Sequence, residues 1–285
     1  MKIDRRALKA RAREAMRQTS PSFWAVALLY LLLTTGVQLA LSLAAAVLPG
    51  VSGGLFLNIL FYLYSMVIQF GLRLWSLWAW RRQDPGAGAL VQGFSIPGRV
   101  VVMELLILLR ILGWTIGFAI LLSPFLLFLT ASPVLYWACV GAVSILIMVV
   151  MLRYSMAPYL LADRPDDGAS LAIRRSVAMM RGRVWELFKL QLSFLGWQLV
   201  NWALSTGVFF FLCAQAGLFH APAGMESLLL YQSVSGSLAN VALSGLVTLP
   251  LSLWLLPYQE VAQAGFYEEV RQAGPAPGAP EMPPL

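Results

Sequence analysis

The chain is 285 residues long, 59% hydrophobic and 12% charged, with a formal net charge of +7. A soluble domain carries roughly 25% charged residues because its surface meets water, so this composition excludes an ordinary water-soluble domain. No nucleic-acid partner is expected, and the placement of the positive charge says more than its sum.

Residues 1–22 read as a basic amphipathic arm, with Lys2, Arg5, Arg6, Lys9, Arg11, Arg13 and Arg17 set against Leu8, Ala12, Ala15 and Met16. The apolar run that follows, Phe23–Leu48, exceeds the roughly 7–15 residues of a signal-peptide core and is expected to stay as a first span. Crossing the hydrocarbon layer takes roughly 20 mostly apolar residues. Five more segments qualify: Leu55–Trp80, Val100–Thr130, Val134–Leu161, Trp185–Cys213 and Ser237–Tyr258. Helices alone satisfy their backbone groups internally at such lengths. The expected fold is therefore all-α, a polytopic transmembrane bundle of about six spans arranged as three helical hairpins over residues 23–272. The outer turns are breaker-rich (Pro49-Gly50 with Ser52-Gly53-Gly54, then Ser132-Pro133), and the last runs from Gln215 past Pro222 to Gly236. The tail Ala273–Leu285 is rich in Pro, Gly and Ala and is expected to be disordered.

Lysine and arginine bias in short loops sets orientation. Arg81, Arg82 and Arg99 lie between spans two and three, and Arg164, Arg174, Arg175, Arg181 and Arg183 between spans four and five, whereas the opposite loops hold neither lysine nor arginine. Both termini are thus expected in the cytoplasm. Trp24, Trp75, Trp78, Trp80 and Trp185 cluster at that end, as headgroup-level anchors would.

Leu72-Arg73…Pro85…Gly88-Ala89 recurs as Leu152-Arg153…Pro165…Gly168-Ala169. Pro158-Tyr159 and Pro257-Tyr258 also match. Three repeats are inferred, each an interfacial segment, a span, an outer turn and a span. In the segment at 169–184, Ile173, Val177, Met180 and Val184 make one helical stripe, flanked by Arg174, Arg175, Arg181 and Arg183. That pattern fits a helix in the headgroup layer with its arginines on anionic lipid, or simply a connector obeying the positive-inside bias.

Charged residues in spans usually find partners. Arg73, Glu104, Arg110, Arg153, Glu186, Lys189 and Glu260 form a layer near the basic end. Glu186 and Lys189 can pair along one helix, and Arg73 and Arg153 can pair with Glu104 and Glu186 across helices. The layer reads as ion pairs fixing helix register, or as a site for an anionic headgroup or substrate. A polar stripe runs through Gln191, Gln198, Asn201 and Ser205 in span five and Ser237, Asn240, Ser244, Thr248 and Ser252 in span six. Small polar residues hold helices together in lipid, and a conduction path could use the same groups. Gly113 and Gly117 offer a close-packing face in span three.

Other chemistry is absent from the pattern. Cys139 and Cys213 sit in apolar runs and read as buried thiols. His220 has no neighbouring ligand set, so no metal or other cofactor is expected. Glu104, Glu186 and Glu260 lack a histidine or a second acid at a spacing suited to acid–base work, and no enzymatic activity is expected.

Ser176-Val-Ala-Met-Met-Arg-Gly182 followed by Trp185 and Leu187–Trp197, and Leu255-Leu-Pro-Tyr258 followed by Gly265-Phe-Tyr267, carry a resemblance, together with Arg5–Arg13. The chain resembles the bacterial integral membrane family known as domain of unknown function 975, and distantly the membrane domains of some glycerophosphodiester phosphodiesterases. The resemblance implies a multi-span bacterial membrane protein with a link to lipid. It carries no catalytic residues over, and this sequence departs from it at Arg183 and in the long turn between spans five and six. The leading expectation is a non-enzymatic membrane protein whose basic face binds anionic lipid or a partner protein. The rival is a small transporter or efflux component using a polar path between spans five and six.

Overall fold

The computed structural model describes residues 4–47, 54–83, 86–123, 132–219 and 224–274. The turn residues Pro49-Gly50 and Ser52-Gly53, Pro85, the end of the expected third span, His220, Pro222 and the tail from residue 275 lie outside them. Among the described residues the chain is helical, without strands. In chain order the elements are α1 (Arg5–Arg17), α2 (Phe23–Leu31), a π-helical turn (Leu32–Gly36), α3 (Val37–Val47), α4 (Gly54–Trp80), a 3-10 segment (Ala87–Ser95) and α5 (Pro97–Leu122). They continue as α6 (Pro133–Tyr154), α7 (Ala157–Asp163), α8 (Gly168–Met179), α9 (Val184–Leu192), α10 (Leu195–Gln215), α11 (Met225–Ser235) and α12 (Leu238–Gln272). Among the described residues, six stretches are long and apolar enough to cross a membrane: Phe23–Leu41, Phe56–Trp80, Pro97–Leu122, Val134–Asp163, Leu195–Gln215 and Leu238–Gln272. The chain is a multi-pass integral membrane protein with an all-α fold.

Several boundaries move for local reasons. The fourth span breaks at Ser155-Met156, because Pro158 in the first turn of α7 lacks the N–H that would continue α6. The fifth does not start at Trp185. The chain turns at Ser193-Phe194, where the Ser193 hydroxyl donates to the Leu190 carbonyl at 2.6 Å, so α9, with Glu186 and Lys189, is a separate short helix. α12 runs past Tyr258 to Gln272 with Pro250 and Pro257 inside it. The long outer turn between spans five and six contains a helix of its own, α11.

The packed core lies at the basic end. Trp75, Trp80, Tyr159, Phe266, Tyr267 and Val261 are buried there, whereas α5 beyond Met103 and α10 apart from Cys213 have no buried residue. Leu109, Ile120, Trp202 and Leu246 are instead widely exposed, as side chains facing hydrocarbon are. Trp75 and Trp80 are therefore core residues and not headgroup anchors, whereas Trp24 and Trp185 are exposed. Gly113 and Gly117 have nothing within 4 Å of where a Cβ would lie, so the expected close-packing face in the third span is not formed. Both cysteines are free.

The short segments entering each hairpin pack on protein. Leu8, Ala12, Ala15 and Met16 of α1 join the cluster that holds Val261, Ala262 and Phe266 of α12 and Trp75 and Trp80 of α4. A Cβ on Gly71 would lie 2.0 Å from the Leu90 carbonyl oxygen, and one on Gly93 would lie 2.7 Å from that of Val67, so the 3-10 segment touches α4 backbone to backbone. Ala169, Ala172 and Ile173 of α8 bury against Ala157 and Leu161 of α7 and Val100 and Met103 of α5. Each entry segment thus covers the end of the even-numbered span before it. The first closes on the last, and the three hairpins form a ring. The expectation that these stripes lie in lipid is corrected for Leu8, Ala12, Ala15, Met16, Ile173 and Met180, which protein buries, whereas Val177 stays exposed.

Candidate functional site

Where the three even-numbered spans end, their side chains meet. Arg81, just beyond α4, donates to Asp163 at the end of α7 at 2.9 Å and also pairs with Glu268 of α12. Asp163 further accepts from the Tyr267 hydroxyl at 2.7 Å and from Arg271 at 3.0 Å. Burial works against the Arg81 charge, yet the hydrogen bonds to Asp163 and Glu268 hold its pKa above the usual guanidinium value. Sequence reasoning missed this clasp, since Arg81, Asp163 and Glu268 are far apart in the chain and no motif links them.

Other arginines bind the ring together. Arg82 pairs with Glu14 of α1 at 2.9 Å, and Arg11 lies over the Trp80 ring at 4.5 Å. Lys9 donates to the Ser193 hydroxyl at 3.0 Å, and partial burial together with Arg13 and Arg5 lowers its pKa. α1 therefore docks on α12 as an apolar face ringed by such contacts.

The four arginines of the 169–184 segment divide into two pairs. Arg175 is buried and paired with Asp167. Arg183 donates to the carbonyls of Val270 at 3.1 Å and Gly274 at 2.8 Å, so it caps the C-terminal end of α12, where a cation is favoured. Gly182 makes this possible: its φ of +73° is left-handed, which glycine adopts without a Cβ penalty. Arg174 and Arg181 are exposed on the other side. There they line a cavity of about 550 Å³ with Arg110 of α5 and Arg153 of α6, its floor formed by Tyr154, Val177, Met180 and Val184. Four guanidinium groups line it and no carboxylate does.

The expected ion-pair layer is only partly built. Arg73 donates to Glu104 at 2.8 Å, and Lys189 donates to Glu186 at 2.8 Å. Glu186 is thereby taken, and Arg153 makes no ion pair among the described residues. Its carbonyl accepts from Ser176 at 2.8 Å, and Arg153 lines the cavity. Arg110 sits 5.9 Å from the Tyr154 ring. Glu260 accepts from the Tyr159 hydroxyl at 3.4 Å.

The polar stripe is mostly helix-to-helix and local bonding. Asn201 donates to Ser252 at 3.4 Å and Gln198 to Gln259 at 3.5 Å, joining α10 to α12. Within α12, Ser237 caps the helix by accepting from the Asn240 N–H at 3.1 Å, Ser244 donates to Asn240 at 3.3 Å, and Thr248 donates to the Ser244 carbonyl at 2.7 Å. Ser205 is half-buried beside them.

Among the described residues no group of three or more His, Cys, Asp or Glu could hold a metal. The family model described as a protein of unknown function (DUF975) matches residues 1–274 of the chain. No curated protein and no solved structure matches it.

Proposed function

Because the chain belongs to the DUF975 family, whose function is unknown, we propose a role from its own geometry: it is a non-enzymatic protein that holds an anionic phospholipid headgroup at its basic end. The cavity of Arg110, Arg153, Arg174 and Arg181 supports this reading, with four guanidinium groups and no carboxylate in its lining. Guanidinium groups match phosphate oxygens in geometry as well as charge. The apolar floor of Val177, Met180 and Val184 suits the glycerol and upper acyl region below such a headgroup. The charge bias of the loops supports a cytoplasmic basic end, and the resemblance noted in the sequence implies a bacterial membrane.

Neutralising Arg174 and Arg181 to glutamine removes two charges at about 1 kcal/mol each. Retention of phosphatidylglycerol in native mass spectrometry is expected to weaken roughly thirtyfold in affinity, with phosphatidylcholine unaffected. Arg183→Gln is the control: it loosens the end of α12 yet leaves lipid retention as in the unaltered chain. Equal retention in the double variant refutes the reading. Loss of a co-purifying protein instead of lipid would transfer the arginines to a protein partner.

A further inference from the structure

A second crevice differs in character from the arginine cavity. One part, about 300 Å³, is lined by Phe188, Gln191, Phe194, Gln198, Gln259, Glu260 and Gln263 among apolar neighbours. It shares Met148, Gln191 and Gln263 with a cavity of about 450 Å³ that reaches Gln69, Arg73 and Glu104. The smaller part holds one carboxylate, four carboxamides and two aromatic rings, and no lysine or arginine.

Glu260 carries the argument. Glu104 already holds Arg73 at 2.8 Å, and Glu260 forms no ion pair with a described residue. Its one hydrogen bond there is from the Tyr159 hydroxyl. A carboxylate in a membrane-crossing helix that shares its nearest cation, Arg73, with Glu104 is costly and marks a site for a further one. Beside it, the buried Gln259 Nε2 has no hydrogen-bond partner, although buried donors are nearly always satisfied. The wall therefore offers an acceptor for a cation and a free donor for an oxygen.

Size narrows the class. A volume of about 300 Å³ is about ten times the share of one water molecule in the liquid, too roomy for a bare metal ion. Aromatic faces such as Phe188 attract ammonium groups. The Phe194 ring already receives the Lys9 ammonium at 4.3 Å, and Lys9 itself is tied to Ser193 and does not line the crevice. We propose that this crevice binds a protonated amine bearing a nearby oxygen, with Glu260 and the ring of Phe188 taking the ammonium and Gln259 donating to the oxygen. An amino-alcohol group fits that description, either as a free molecule or as a lipid headgroup.

The test uses the full chain in detergent micelles and in nanodiscs. Millimolar ethanolamine is expected to raise the melting temperature saturably, while ethylene glycol and sodium chloride at equal concentration do not. Gln191→Arg places a cation in the crevice from an exposed position, so it folds, and it is expected to weaken the ethanolamine response at least tenfold. Glu260→Gln is expected to do the same. Both variants should keep the phosphatidylglycerol retention assigned to the arginine cavity. If free ethanolamine is silent but phosphatidylethanolamine is retained by the unaltered chain and lost in Gln191→Arg, the amine comes from lipid. An equal response to sodium chloride, unaltered binding in Gln191→Arg, or no binding of either amine overturns the proposal.

Discussion

Replacing Arg81 by alanine removes a side chain that joins the ends of all three even-numbered spans. Its side chain is 22% exposed, and its partners Asp163 and Glu268 are 16% and 11% exposed. Breaking a fully buried pair costs about 3–5 kcal/mol, since a charge is left without its partner. The partial exposure here brings the expected loss down to about 2–3 kcal/mol, because water reaches the site and Arg271 still neutralises part of the charge. For a chain of this size, that lowers the melting temperature by roughly 5–10 °C. The assay is thermal unfolding in one detergent at one scan rate, since membrane proteins often unfold irreversibly and the midpoint then depends on the rate. Arg82→Ala supplies the scale, because the Arg82–Glu14 pair is 57% and 56% exposed and such surface pairs contribute about 0–1 kcal/mol. Adding Glu268→Ala to Arg81→Ala should recover part of the loss by removing one stranded carboxylate. If Arg81→Ala melts no lower than Arg82→Ala, the clasp does not hold the ring together.

Two further outcomes follow from the packing and the charge bias. Gly71→Ala should lower the melting temperature, although alanine is the better helix former by roughly 1 kcal/mol, because the new Cβ would meet the Leu90 carbonyl oxygen at 2.0 Å and must push the 3-10 segment away. An unchanged or raised melting temperature would show that helix propensity outweighs that contact. In a chain without native cysteines, Met225→Cys should react with a membrane-impermeant maleimide on intact cells and Arg82→Cys only after lysis, and the opposite pattern would invert the proposed orientation.

The spans were legible because hydropathy acts locally: a run of some 20 apolar residues has one stable place to go. Their breaks were half legible. Pro158 announces the end of α6, but Pro250 and Pro257 lie within a continuous α12, since neighbouring helices and local adjustment can satisfy the backbone groups a proline frees in a membrane helix. The amphipathic segments were read with the right periodicity and the wrong neighbour. A stripe such as Ile173, Val177 and Met180 shows only that one face avoids water, and protein and lipid meet that demand equally well. In the fold Ile173 and Met180 are buried by protein, while Val177 stays exposed in the lining of the arginine cavity.

The site residues show the same limit more sharply. Arg174, Arg175, Arg181 and Arg183 look alike in sequence, and a helical wheel separates them only by direction. Their roles were fixed by what the ring of hairpins brings to each side: Asp167 beside Arg175, the bare carbonyls at the end of α12 beside Arg183, and Arg110 and Arg153 beside Arg174 and Arg181. Arg153 was expected to find Glu186, but Lys189, three residues along the same helix, claims that carboxylate first. Pairing within a helix needs no tertiary arrangement, so it outcompetes a partner that depends on how two helices meet. That competition frees Arg153, and a cation left over from the ion-pair layer becomes the fourth wall of the arginine cavity. Glu260 is its counterpart, an acid that forms no ion pair with a described residue because Arg73, whose charge still acts on it, turns to Glu104. The members of the layer without an ion pair among the described residues, Arg110 and Arg153 on one side and Glu260 on the other, lie in two different cavities, and those cavities are where ligands of opposite charge are to be sought.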